Sequence, residues 1–500
     1  AYVDTFFKEL APVWLNYVAA LHGVAPRPID RPFTYIELGC GFGQTVVTNA
    51  AAYPSGDFYA CDINPSHVHA ARRYANAVGA NNLEVIEASF EDLRRRELPP
   101  FDFVVLHGVY SWIGDAAKRA VREFVRDRLK PGGLAYVSYN CLPGWALEMP
   151  LRRLFRELAA LEGDDVDEAV VRGVRALDRL SDAKLQFFAA HPALRELAKS
   201  FAGRPAGYLA HEYLGDGWNA YYSVDVADDL LAADLHYVGS ATLADNHPAL
   251  TTADEASVAV ASLPSLRQRR LGDDFATNRA FRRDVFVRGA AGSQKAAHLN
   301  NVVVGRLADP TSLAARVRLP RGFVTFQDAF VDELKLVLQA GTWTIGDIAA
   351  RLRGHTQNAH EIARNLTILL SAGELAPFAQ ALRYGPAART GDGSAASIRT
   401  DAVANAVLAQ SIEHRIARAI PSRALGNGFE LQPIDALALS EWLANRADAV
   451  TLARRVADRL RHDCWFDADA ASQIDGEARR AARNAFEVLA PMFVRLGLTA

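Results

Sequence analysis

Hydrophobic and polar positions along the first 145 residues switch between two periods. Short apolar runs of strand-like composition occur at Thr34–Leu38, Phe58–Cys61, Leu83–Glu87, Phe103–Leu106 and Leu134–Tyr139. Between them apolar residues recur every three to four positions, the helical period, over Gln44–Ala52, Ser66–Val78 and Asp115–Leu129. Asn64-Pro65-Ser66 opens the second of these helices with proline near its first turn. Strands alternating with helices in this way predict a parallel, doubly wound α/β sheet. Ahead of it, Phe6, Phe7, Leu10, Val13, Trp14, Tyr17, Val18 and Leu21 share a helical spacing. Residues 1–23 are therefore expected to form an amphipathic helix covering the sheet edge, with a lid carrying Tyr2 or Phe6 as the alternative.

From about residue 150 to 230 the pattern becomes helical, over Leu151–Leu161, Val166–Arg179, Ala183–Ala190 and Ala193–Phe201. Two strand-like segments, Leu235–Ala241 and Arg283–Val287, follow. From about residue 325 three predicted helices, Phe326–Ala340, Thr344–Leu352 and Asn358–Ser371, precede a short segment Glu374–Phe378, an order that resembles a winged helix. Its candidate recognition helix carries only Arg364, beside His360 and Glu361, where DNA readers place several basic residues. A protein-contact role is the expectation. Residues 386–398 are rich in Pro, Gly and Ser and read as a linker, and 400–420 and 434–496 return to helical periodicity.

The chemistry starts where the first strand ends. Residues 36–43 read Ile-Glu-Leu-Gly-Cys-Gly-Phe-Gly, and Asp62 stands at the end of the next strand. Gly39, Gly41 and Gly43 let the chain turn sharply against a ligand, and Asp62 is placed to accept hydrogen bonds from ribose hydroxyls. A dinucleotide turn is usually Gly-x-Gly-x-x-Gly and faces a pyrophosphate. Here Glu37 precedes a Gly-x-Gly-x-Gly turn; it would repel a pyrophosphate but suits the cationic methionine end of S-adenosylmethionine (SAM). With Leu129-Lys130-Pro131-Gly132-Gly133 leading into the fifth strand, the chain resembles class I SAM-dependent methyltransferases at these residues.

That resemblance implies SAM as cofactor, with Glu37, Gly39, Gly41, Gly43, Asp62, Ser89 and Phe90 around it. The family often has Asp at the position of Ser89, which otherwise reads as a helix cap, and Phe90 would then act by packing. The sheet of this family is normally completed by a reversed strand pair, and Leu235–Ala241 and Arg283–Val287 are the expected pair. The acceptor should meet the loops after strands four and five, His107-Gly108-Val109-Tyr110-Ser111-Trp112 and Tyr139-Asn140-Cys141-Leu142-Pro143-Gly144-Trp145. Their aromatic faces can orient an amine and its methylene stem. These loops are similar to those of bacterial methyltransferases with a methyltransferase regulatory domain, a group that includes protein-lysine methyltransferases. The resemblance implies His107, Tyr110, Trp112 and Asn140 as catalytic candidates, with packing as the competing role for the aromatics. Trp145, His211, Glu212 and Tyr222 are the candidates for a substrate wall. His211 and Glu212 are adjacent and form no metal motif.

The expected domains are 1–145, the SAM-binding core; 146–290, a helical insertion plus the strands that complete the sheet, serving as regulatory or substrate domain; 291–320, a connector; and 321–500, a helical domain with the winged-helix-like module. Half the residues are hydrophobic, enough for a large core, and the net charge of −3 gives no electrostatic reason to expect nucleic acid. Four scattered cysteines suit a reducing compartment. No membrane-spanning run or leader is evident, so a cytoplasmic location is expected. A protein substrate methylated at lysine is the leading expectation. A small-molecule N- or O-methyltransferase and a SAM-binding regulator without turnover are the alternatives, and a homo-oligomer fits each.

Overall fold

A computed structural model of the chain describes residues 4–159, 165–183, 185–215, 217–289, 295–352, 359–384, 401–466 and 468–498. At its centre is a seven-stranded sheet in the order β3-β2-β1-β4-β5-β7-β6. Its strands are β1 Thr34–Leu38, β2 Asp57–Asp62, β3 Leu83–Glu87, β4 Phe101–Leu106, β5 Leu129–Asn140, β6 Leu235–Ser240 and β7 Phe281–Arg288. The first five pair in parallel, and β7 runs antiparallel between β5 and β6. The reversed pair expected near 235–241 and 283–287 thus completes the sheet. Parallel strands covered on both faces read as near-continuous apolar runs, and all six residues of β4 are buried. One difference lies at β5, which starts at Leu129. Lys130-Pro131-Gly132-Gly133, expected as a turn before the strand, belongs to it; Gly132 takes φ 72° and the register against β4 shifts between Phe101 and Phe103.

The N-terminal helix is confined to Pro12–Leu21 and is buried along its whole length. It lies on edge strand β6 with the helix Lys295–Asn300 and the strand Ala376–Phe378 against it, so no face of it stays polar. The Trp14 indole donates to the Ala241 carbonyl at 2.9 Å. Residues 4–7, expected to be part of that helix, have no regular secondary structure, and Phe7 is extended.

Helices Glu148–Ala159, Val166–Asp182 and Pro192–Ser200 form the insertion, which has its own core of Leu151, Phe155, Val170, Leu177, Phe188 and Phe201. In the C-terminal region, helices Asp328–Gln339, Ile345–Arg351 and Ala359–Ser371 occupy the expected places. The strand after them, Ala376–Phe378, pairs with Val303–Gly305, which also pairs with Trp343–Thr344. The expected connector therefore supplies the middle strand of a small sheet, and among the described residues no hairpin wing follows the third helix. The 386–398 linker and Tyr2 lie outside the described residues.

In the region expected as a helical domain, overlapping only the end of the 400–420 helical stretch and lying before that at 434–496, there is a β-hairpin, Arg418–Ser422 with Asn427–Leu431. It packs on the helix Gln44–Ala52. One continuous core runs from the N-terminal helix across one face of the sheet into the C-terminal helices, and a second fills the other face. Among the described residues no helix is long and apolar enough to cross a membrane.

Candidate active site

The glycine turn is locked to the end of β2. Gly39 and Cys40 donate to the Cys61 carbonyl at 2.8 and 3.0 Å. Gly39 has φ 74°, and a Cβ there would stand 2.5 Å from Val109. Gly43 has φ 78°, and its Cβ would meet Ala71 at 2.6 Å. Side chains would clash with the loop after β4 at Gly39 and with the helix Pro65–Val78 at Gly43. The Asp62 carboxylate sits beneath, 9% exposed. It accepts from the Gly41 and Asn64 amides at 2.9 Å each and faces His67 Nδ1 at 3.3 Å.

Glu37 is 4% exposed, and its Oε2 has no hydrogen-bond partner. Burial, with the Asp62 charge adding to it, pushes its pKa up to about 8. A buried acceptor without a donor is costly, and an ammonium group would supply the missing donor. The expected cofactor therefore fits these residues: Glu37 would hold its ammonium, the glycine turn its chain, and Asp62 its ribose. Ser89 caps the short helix Phe90–Arg94, accepting from Asp92 N at 3.1 Å and donating to the Asp92 carboxylate at 2.8 Å. It is thus the helix cap that formed the other reading of this position. Phe90 packs against the core on the sheet's second face.

An N-terminal strap closes this cleft. Phe7 donates its amide to Thr45 Oγ1 at 3.1 Å, and its ring lies 3.7 Å from that of His107. Asp4, Phe7, Glu37, Gln44 and His107 line the same narrow cleft. The C-terminal hairpin holds the strap in place. Arg418 pairs with Asp4 at 2.7 Å, Gln44 donates to the Ala417 carbonyl at 3.1 Å, and Asn427 donates to the Lys8 carbonyl at 3.0 Å. His107 Nδ1 meets the Tyr136 hydroxyl at 2.8 Å. Burial first, and then the Arg283 charge, lower its pKa to about 3. Neutral at ordinary pH, it is a cleft wall and a poor base.

The loops after β4 and β5 are stitched together by Ser111. Its hydroxyl accepts from the Asn140 amide at 2.8 Å, and its carbonyl accepts from Asn219 at 2.7 Å. At the end of β5 the Asn140 side chain donates to Glu212 Oε1 at 3.4 Å. His211 and Glu212 lie on one π-helical turn, Ala210–Leu214, a geometry common at functional sites. Trp112 stacks on His211 with ring centroids 5.4 Å apart and planes 10° apart, and its indole nitrogen is buried without a partner. Trp145 meets Trp218 at 4.6 Å. Burial raises the pKa of Glu212, opposed by Asn140 and Trp218, and also raises that of Glu148.

The structure thus groups Asn140, Glu212, Trp112 and His211, and sets Trp145 against Trp218. It does not bring Tyr110 or Tyr222 into that group. Tyr110 is 2% exposed, its hydroxyl is engaged by Asp229, and its ring lies against Tyr139 and Tyr221. Tyr222 stacks on Phe275. Sequence reasoning missed Phe7, Gln44, Thr45, Arg418 and Trp218. Phe7 stood in the pattern beside Phe6; Arg418 carried no local signal, its partner Asp4 being 414 positions away.

Comparison with known proteins bears on the family and the fold. Residues 36–135 match the family model of a methyltransferase domain, and residues 205–288 that of a predicted methyltransferase regulatory domain. The uncharacterized protein sll1526 of Synechocystis is 32% identical over 363 residues, 72% of each chain. The uncharacterized protein RP789 of Rickettsia prowazekii is 25% identical over 279 residues, 54% of this chain and 48% of that one. Among solved structures, PKMT2 from Rickettsia typhi, in complex with AdoHcy, superposes with a TM-score of 0.68 at 17% identity, covering 98% of this chain and 99% of that one.

Proposed function

The chain belongs to the family of SAM-dependent methyltransferases that carry a methyltransferase regulatory domain, and from that premise we propose that its acceptor is the lysine side chain of a protein. The observation that carries this reading is the half-buried carboxylate of Glu212 against Asn140, next to the stacked pair Trp112 and His211. Aromatic faces suit a methylene stem and its cationic tip, and a carboxylate behind them suits an ammonium. The shared fold of PKMT2 over nearly the whole length supports it.

SAM supplies a methyl group already activated by its sulfonium. The protein must therefore align an unprotonated amine and exclude water, and alignment alone is worth about 7–11 kcal/mol. With a reference pKa near 10.4, a lysine costs about 4–5 kcal/mol to deprotonate at neutral pH. Glu212, its pKa raised by burial, is the group that takes that proton on its carboxylate oxygen. Asn140 fixes the carboxylate, and the strap with Phe7 and His107 keeps water from the cofactor side.

The test is incubation of the purified protein with methyl-labelled SAM and an extract of its source organism, separated into protein and small-molecule fractions. Base-stable label in a protein band, mapped to lysine, is the expected result. Label confined to small molecules would overturn the reading.

A further inference from the structure

Helices Ala449–His462 and Ile474–Asn484 pack side by side and leave a groove of about 470 Å³ between their outer faces. Its floor is small and apolar, with Ala453 and Ala457, and Val450 at its mouth is 71% exposed. Its walls are arginines: Arg454 and Arg461 from the first helix, Arg479 and Arg483 from the second. Asp475 is the one carboxylate lining it, and Arg461 takes it at 2.5 Å.

Two other arginines on these helices are matched, whereas Arg455, outside the groove, has no ion pair among the described residues. Arg459 pairs with Glu441 and Asp463, and Arg480 pairs with Asp435 and Glu477. Arg454, Arg479 and Arg483 have no ion pair among the described residues. Arg479 and Arg483 stand four positions apart on one helix, an arrangement in which like charges destabilise. A second hollow continues from them past Asn484 and the carboxylate of Glu487 to Val488. A locally positive groove, four arginines to one carboxylate, on a chain of net charge −3 breaks the local rule with only partial compensation inside the fold, as functional sites do.

We propose that this groove docks an acidic segment of the protein substrate, a reading that rests on the protein-lysine assignment above. Charge complementarity names the partner: three unpaired guanidinium groups suit side-chain carboxylates bidentately, and the alanine floor accommodates a peptide backbone. No aromatic side chain lines either hollow, so the stacking platform used for single-stranded nucleic acid is missing there.

The test uses the full-length chain and two triple variants, Arg454→Glu/Arg479→Glu/Arg483→Glu and the same positions changed to Lys. The probe is a fluorescein-labelled poly-glutamate peptide, followed by anisotropy at low and moderate salt. The wild type is expected to bind it, the Glu variant to weaken binding at least about tenfold, and the Lys variant, which keeps the charge but loses the bidentate fork, to fall between the two. For the substrate found by the labelling experiment, the Glu variant should raise KM with kcat and SAM affinity unchanged. Absent poly-glutamate binding, binding that survives charge reversal, or tighter binding of a single-stranded RNA probe would each overturn the proposal. If no protein substrate emerges, the poly-glutamate arm still decides the groove, so the two readings fail separately.

Discussion

Replacing Glu37 by Gln tests the cofactor end of the cleft through two independent quantities. The carboxyl is buried, Oε2 has no partner, and its pKa stands at about 8 against an ordinary 4.5. Its folded-state pKa lies above its unfolded one, so the native protein holds the extra proton between those values. Stability is then highest at low pH and falls as pH rises from 4.5 through about 8. At about 1.4 kcal/mol per pH unit, the full loss is about 5 kcal/mol as an upper limit. Glu37→Gln keeps the shape and removes the charge. It should match the wild type in denaturant unfolding at pH 5 and exceed it by a few kcal/mol at pH 9, about half the upper limit or more. SAM binding should respond in the opposite sense. An ammonium ligand needs the carboxylate, so wild-type affinity should climb up to about tenfold per pH unit towards pH 8, and then fall as the ligand's own α-amino group titrates. The rising limb should be missing in Glu37→Gln, which binds more weakly at pH 8. Calorimetric titration in buffers of different ionisation heat would follow the proton released. A stability difference that does not grow with pH, or a variant that keeps the rising limb, would refute the assignment.

Other expectations follow from the same geometry. Asp62→Ala removes a charged acceptor that also pins Gly41 and Asn64; SAM affinity should fall by about 1.5–3 kcal/mol or more by calorimetry, and unchanged affinity would end the ribose assignment. Glu212→Gln should leave SAM affinity intact while lowering kcat for the amine acceptor at neutral pH, with activity recovering as pH rises; an unaltered pH–rate profile would remove Glu212 as proton acceptor. Arg418→Ala should free the strap, seen as faster amide exchange at Thr5–Lys8 and faster SAM dissociation; exchange matching the wild type would show that the strap holds itself.

The catalytic half of the fold was legible because its signals are local. β1, the glycine turn and Asp62 each follow from composition and spacing within a few dozen residues, and the resemblance to the methyltransferase family implied the reversed strand pair. The C-terminal hairpin was not, because Arg418-Ala-Ile-Pro-Ser carries a proline inside a strand, and what makes it a strand is its partner and the distant helix Gln44–Ala52 on which it rests. The Pro12–Leu21 helix showed the period of a surface helix, yet two layers close over it and bury every residue. Tyr110 looked like a site residue from its place after β4, but its hydroxyl goes to Asp229, 119 positions on. Ser89 shows the reverse: the plain capping role, weighed from the sequence alone, is the one its side chain plays.

The clasp between Gln44 and the Ala417 carbonyl also sets an order of events during synthesis. The two residues are 373 positions apart, so at about 5–20 residues per second the ribosome needs roughly 20 to 75 seconds between them. In that interval strands β1 to β7 have all been translated, and the sheet has the parts it needs to assemble. The hairpin that fastens the strap across the glycine turn does not yet exist. A growing chain thus passes through a stage in which the turn and Asp62 are present and the cleft is unlatched. Ligand held at that stage would be held without its cover, and full retention has to wait for residues beyond 417.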